Sequence, residues 1–167
     1  MSTTDLPVEP ARLLGQGFFW NDLKMGDRFR TFGRTITDAD IVAFVGCTGM
    51  LEALFTDAVY REEHAAISGR VAPGALVYSI AEGLVLNASG NGTGLAFLNT
   101  EMNILLPTLA NDTIHVEFEV TELRPAKSAG RGLVRTRNLV INQRGETVLE
   151  HNPLRLMAGK ISAEGQS

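Results

Sequence analysis

Only one of the 167 residues is a cysteine, Cys47. An intramolecular disulfide is therefore impossible, and no cysteine-based metal spacing can be drawn. Cys47 lies in the apolar run IVAFVGC and is expected as a small buried core residue rather than as a nucleophile. Positive charge is also scarce: 15 Lys and Arg stand against 19 Asp and Glu, a formal net charge of −4. A nucleic-acid surface needs a concentrated basic face, so no nucleic-acid partner is expected, and an anionic ligand would need a local cationic site. No apolar run approaches the roughly 20 residues that cross a bilayer. The polar start MSTTDLPVEP lacks the basic-then-apolar order of a secretion signal. A cytoplasmic protein with no membrane partner is expected.

What is present is an ordinary globular composition, 44% hydrophobic and 20% charged, with enough length for one core. No repeat or interdomain linker occurs. The reading is an N-terminal arm over 1–17, one domain over 18–160 and a tail over 161–167.

Residues 28–37 have strand character. Thr37 and Asp40 are spaced as an acidic capping box for a helix carrying Ile41, Val42, Phe44 and Val45, ending near Gly46 or Gly49. Thr56 is expected to cap a second short helix running from Asp57 to about His64, with Asp57 itself also placed to cap or position it. The segment between, residues 49–55, reads as an unusually apolar loop. Pro73 precedes a run from Gly74 whose apolar residues cover most of a helical circumference, stopped by Ser89-Gly90-Asn91-Gly92. A helix apolar nearly all round must be buried on nearly all sides.

Everything after it reads as strand. Ile114, Val116, Phe118 and Val120 alternate with His115, Glu117, Glu119 and Thr121, the period of a half-buried strand. Segments 95–106, 133–141 and 146–157 follow the same class, with a hairpin turn at Asn142-Gln143-Arg144-Gly145. Arg135 and Arg137 are placed opposite Glu117 and Glu119, read as a solvated face. An α+β fold results: about five antiparallel strands wrapped around a long central helix, the arrangement known as a hot dog. One such sheet leaves part of the helix and an edge uncovered, so a homodimer or higher hot-dog oligomer is expected.

Three blocks carry a family resemblance. Phe19-Trp-Asn-Asp-Leu-Lys-Met-Gly-Asp-Arg-Phe29, Thr35-Ile-Thr-Asp-Ala-Asp-Ile-Val-Ala-Phe44 and Gly69-Arg-Val-Ala-Pro-Gly-Ala-Leu76 resemble, in order and spacing, the opening, first helix and central-helix head of MaoC-like dehydratases and (R)-specific enoyl-CoA hydratases. The resemblance spans about residues 18 to 158. It implies an acyl-CoA thioester as substrate or ligand, with no further cofactor and no metal.

In the family's hydratases, a loop reading Gly-Asp-x-Asn-Pro-x-His supplies an aspartate and a histidine that hold and activate water. Here the loop is Gly49-Met-Leu-Glu-Ala-Leu-Phe55. Met50 stands at the aspartate position and Phe55 at the histidine position, and neither can take a proton. The resemblance makes the Gly74 N–H the donor to the thioester carbonyl, aided by the helix N-terminus, with close packing at a helix start as the other reading of this glycine. Glu52 is then the replacement base, with an exposed loop carboxylate as its plainer reading. Met50, Phe55, Asp57, Arg70 and Pro73 would border the substrate. Arg124, Lys127 and Arg131 form a basic loop that would meet CoA phosphates or be simple solvated surface, and Arg70 is a second phosphate candidate.

His64 reads as a solvated helix end, and His115 and His151 are poor candidate bases on their strands. Glu82, the odd polar group on the buried helix, lines an acyl pocket or pairs across a dimer interface, the second being preferred. The functions in view are an enoyl-CoA hydratase or dehydratase with an altered loop, a non-catalytic subunit beside a competent hot-dog paralogue, and an acyl-CoA thioesterase.

Overall fold

A computed structural model describes Ala11 and residues 13–160; most of the expected arm and the expected tail over 161–167 lie outside the described residues. Strands β1 (Arg28–Arg30) and β2 (Arg34–Thr35) lead into α1 (Asp38–Thr48), followed by the short helices α2 (Ala53–Thr56) and α3 (Ala58–His64). The central helix α4 spans Gly74–Val85 and runs into a widened turn over Leu86–Gly90. Six strands complete the chain: β3 (Gly94–Asn99), β4 (Met102–Ile104), β5 (Thr113–Pro125), β6 (Arg131–Asn142), β7 (Thr147–His151) and β8 (Leu154–Ala158).

The capping box at α1 forms as read. Thr37 Oγ1 accepts from the Asp40 N–H at 3.2 Å, and Asp40 Oδ2 accepts from the Thr37 N–H at 2.8 Å. These bonds to Thr37, with Arg34 at 2.6 Å, hold the Asp40 carboxyl below its ordinary pKa. Gly49, left-handed at φ 68°, ends the helix. The cap of α3 is not Thr56 but Asp57, whose Oδ1 accepts from Val59 N–H at 2.9 Å and Tyr60 N–H at 3.0 Å. Thr56 closes α2 instead, because residues 53–55 of the expected loop coil with it into a helical turn.

All strand pairs are antiparallel within one eight-stranded sheet. The count exceeds the expected five because three expected strands break, the first being 28–37, which divides into β1 and β2. Segment 95–106 divides into β3 and β4, and 146–157 divides at Asn152-Pro153, where a proline cannot donate to a ladder. This break lets β6 pair with β7 along one half and β8 along the other. The Asn142–Gly145 turn closes β6 and β7, with Asn142 Oδ1 accepting from the Arg144 and Glu146 N–H groups and Gly145 at φ 80°.

The sheet holds α4 against its inner face. Leu76, Val77, Ile80, Ala81 and Val85 pack with Ile41 and Val45 of α1 and with Ile114, Val116, Phe118, Val140, Val148 and Leu149 of the sheet. Each large aliphatic side chain so buried contributes about 1.5–3 kcal/mol. On α4 only Ala75 and Ser79 are exposed, so the nearly all-round apolar pattern is matched by nearly all-round burial. At the far end, Trp20 lies so close to β6 that a Cβ on Gly132 would fall 2.2 Å from its ring.

Cys47 is exposed, not buried. Helix α1 buries Ile41 and Val45, and two residues beyond Val45 the helix has turned about 200° away from the core. Arg135 and Arg137 of β6 are paired rather than merely solvated. Arg137 faces Glu119 in register, yet its guanidinium bonds Glu150 of β7 at 2.6 Å, and Arg135 bonds Glu122 at 3.2 Å. No helix of the described residues is long and apolar enough to cross a membrane.

Candidate functional site

The head of α4 opens on a cavity of about 350 Å³, walled by Gly74 and Val77, Phe55, Ile67, Ile104 to Thr108, and Val148 with Leu149. The wall is almost wholly apolar; among the described residues lining it, Thr108 alone carries a polar side-chain atom. Pro73 is the N-cap of α4 and is buried. Its carbonyl accepts from the Leu76 N–H at 2.9 Å and the Val77 N–H at 3.1 Å. That leaves the Gly74 N–H among the leading amides without an intrahelical acceptor, at the positive end of the helix dipole. A Cβ at Gly74 would lie 2.1 Å from Ile104 Cδ1, so glycine is what keeps this wall and the helix head together.

Of the altered loop, only Phe55 reaches the cavity, and it also packs against the core. Met50 is half-buried and is not among the lining residues. Glu52 is exposed at the N-cap of α2, its carbonyl accepting from Phe55 N–H at 2.9 Å and Thr56 N–H at 3.2 Å. It stands outside the cavity wall. Asp57 is likewise exposed and occupied in capping α3. The structure thus brings Gly74 and Phe55 together and sets Met50, Glu52 and Asp57 around them without placing a carboxylate in the cavity.

Arg70 pairs with Asp38 at 2.6 Å and lines a second cavity of about 370 Å³ with Arg61, Glu62 and Ser68. Ile67 borders both cavities, so the two guanidinium groups stand one residue from the apolar pocket. Arg124, Lys127 and Arg131 lie elsewhere. They belong to the β5–β6 turn, whereas the cavity touches the other end of β6 through Leu149, the partner of Val140. Nine residues from Arg131 to Val140 span roughly 30 Å along the strand. Arg124 is engaged with Glu122 at 2.8 Å.

A polar cluster between α4 and the sheet is the feature that sequence reasoning understated. Arg155 Nη2 donates to both Glu82 carboxylate oxygens at 2.6 Å, and His151 Nδ1 stands 3.6 Å from Glu82. Tyr78 meets the His151 ring edge-on at 5.1 Å. Glu82 is therefore satisfied within its own chain, contrary to the preferred reading of a pair across a dimer. Burial, then the Arg155 charge, pushes His151 down to about 4, so it is neutral at pH 7. Burial also lowers His115, with Arg30 adding to it and Glu117 opposing. His64 is exposed at the end of α3, as read, against the Tyr60 ring. The signal for the cluster was the out-of-period Glu82 together with a histidine and an arginine inside buried strands.

No family model matches this chain, and no curated protein matches it in sequence. Solved structures do. A MaoC-like dehydratase from Rhodospirillum rubrum is 27% identical, with a TM-score of 0.77 over 87% of this chain and 100% of its own. An (R)-hydratase from A. caviae involved in PHA biosynthesis is 21% identical, with a TM-score of 0.62 over 83% of this chain and 98% of its own. A Mycobacterium tuberculosis protein with a double hot-dog fold is 22% identical, with a TM-score of 0.78 over 90% of this chain and 46% of its own. The fold is the hot dog, an α+β architecture, and the likeness is to MaoC-like dehydratases and (R)-hydratases.

Proposed function

From a hot-dog fold similar to that of MaoC-like dehydratases, we propose that this chain binds an acyl-CoA thioester at the head of α4. The single observation that carries this is the apolar cavity with the Gly74 amide in its wall. The thioester carbonyl accepts from Gly74 N–H, the helix dipole stabilises negative charge on that oxygen, and the apolar wall takes the acyl chain. Arg70 with Arg61, across Ile67, suits the CoA phosphates better than the distant 124–131 turn does. Strand β3 is exposed along its whole length, with Leu95, Phe97 and Leu98 about half exposed. Pairing of this edge with a second copy would cover it.

The neighbours are a dehydratase and an (R)-hydratase, which supports a hydration or dehydration; on the thioester read here, that is reversible hydration of a 2-enoyl group. Water adding across the double bond needs a group to take its proton, and Glu52 is the loop carboxylate that would do so once turned inward. A second reading is favoured by the near-absence of polar side chains in the cavity: a non-catalytic subunit acting beside a hot-dog partner that keeps the aspartate and histidine.

The test begins with thermal stabilisation by acyl- and enoyl-CoA thioesters. Saturation at 100 times Kd should add about 2.7 kcal/mol. Turnover of enoyl-CoA, lost in Glu52→Gln, supports the lyase. Binding without turnover supports the subunit, release of free CoA from a saturated acyl-CoA indicates a thioesterase, and no stabilisation by any thioester overturns the proposal.

A further inference from the structure

A larger cavity, of about 700 Å³, opens along the C-terminal half of α4 and is bordered by Tyr78, Glu82, Leu86, Leu95, Phe97 and Arg155, among others. Tyr78, Glu82 and Arg155 give it a polar floor beside the apolar Leu86, Leu95 and Phe97. Behind the Glu82–Arg155 pair stand Asn138 and His151, register partners on β6 and β7 that are 0% and 1% exposed. Both polar atoms of the Asn138 amide and both ring nitrogens of His151 have no hydrogen-bond partner among the described residues, and neither does Thr136 Oγ1. So many unsatisfied groups in one core are costly, and such clusters are kept where they serve a purpose.

The charges at this floor cancel. Glu82 and Arg155 neutralise each other, and His151 is uncharged at neutral pH. Burial and the nearby Glu82 raise the Tyr78 hydroxyl above its ordinary pKa, so it keeps its proton and both donates and accepts. A charged ligand group finds no counter-ion free here. An alkyl end would desolvate the tyrosine and the carboxylate without replacing their bonds to water. A hydroxyl or ketone fits: a hydroxyl donates to Glu82 and accepts from Tyr78, and a ketone accepts from Tyr78. Along α4, Tyr78 and Glu82 lie about 6 and 12 Å from Gly74, one and two turns on.

We propose that this floor recognises an uncharged hydrogen-bonding group, a hydroxyl or ketone, carried on the acyl chain well away from the thioester, so that the protein selects oxygenated acyl chains over plain alkyl ones. This rests on the thioester reading for the position of the acyl chain, but the site itself can be tested without CoA. Calorimetry on the full chain, in whatever assembly it adopts, would compare omega-hydroxyoctanoyl-CoA with octanoyl-CoA, and hexanol with 1-chlorohexane, which lacks the hydroxyl. The hydroxylated member of each pair should bind about tenfold more tightly, the worth of one hydrogen bond to a charged group. Tyr78→Phe should lower that ratio severalfold, in part by tightening octanoyl-CoA, whose alkyl end no longer strips water from a phenol. Equal affinities within both pairs overturn the proposal, as does a ratio unaltered by Tyr78→Phe, or an experimental structure in which a second copy fills the cavity. If neither thioester binds but hexanol still outcompetes 1-chlorohexane, the thioester reading fails and the polar site stands.

Discussion

Arg155 Nη2 reaches both carboxylate oxygens of Glu82 at 2.6 Å, joining the last strand to the central helix inside the core. Both side chains are nearly buried, at 9% and 12% exposure. Removing one member leaves the other's charge uncompensated in a medium that solvates it poorly. Arg155→Met should therefore cost about 3–5 kcal/mol, measured as a lower denaturation midpoint at unchanged slope. The double variant Glu82→Leu with Arg155→Met carries no stranded charge and should recover most of that loss. A double variant as unstable as the single one would show that packing, not charge, sets the cost.

His151 makes the stability of the fold depend on pH. Its ordinary value of 6.5 falls to about 4 in the folded chain, through burial first and the Arg155 charge second. The unfolded chain therefore binds a proton between these two values when the folded chain does not. Stability from this residue is complete above pH 6.5 and is lost as pH falls toward 4, by roughly 3 kcal/mol in all. Melting curves from pH 7 to pH 4 should descend more steeply for the natural chain than for His151→Gln. Parallel descents would remove His151 as the titrating group.

Much of this architecture was legible in the sequence. The α1 capping box and the all-round apolar α4 follow from local spacing, and local spacing survives folding. The strand breaks at Asn99–Met102 and Asn152–Pro153 did not follow, because apolar alternation runs through them and only the pairing of β6 with both β7 and β8 reveals the division. The candidate site divides in the same way. Gly74 and Phe55 were found through a resemblance of ordered blocks. The cavity wall from Ile104 to Leu106, and the meeting of Glu82, His151 and Arg155 from segments about 70 residues apart, depend on tertiary register that no window of sequence contains.

Gly74 can be tested without removing its amide. In Gly74→Ala the new Cβ would meet Ile104 Cδ1 at 2.1 Å. That atom is the flexible end of a half-exposed side chain, so the fold should yield cheaply, within about 1 kcal/mol. The displaced Ile104 side chain would then have to move within or out of the cavity wall. Thioester binding should weaken roughly tenfold while the melting temperature holds nearly constant. Adding Ile104→Ala should restore binding by making room for the Cβ. A Gly74→Ala chain that binds as tightly as the natural one would move the carbonyl away from this helix head.

The altered loop offers the sharpest test of the relation to the hydratases. Phe55 borders the cavity and Met50 stands half-buried at the start of the same loop, so Met50→Asp with Phe55→His would put an imidazole in the cavity wall and a carboxylate at the start of the loop that carries it. If the loop residues alone decide between binding and turnover, the double variant should hydrate a 2-enoyl-CoA at least about 100-fold faster than the natural chain, the lower end of what positioned acid–base groups supply. Phe55 also packs on the core, so the exchange should lower stability by about 1–3 kcal/mol. Assays should therefore run well below the melting temperature, with loss of the enoyl thioester as the readout. The single variants should each remain slow, since a lone aspartate or histidine cannot both orient the water and take its proton. A folded double variant that binds enoyl-CoA but stays inactive would mean that the cavity no longer holds the double bond where water from this loop can reach it, and the lyase reading would fall.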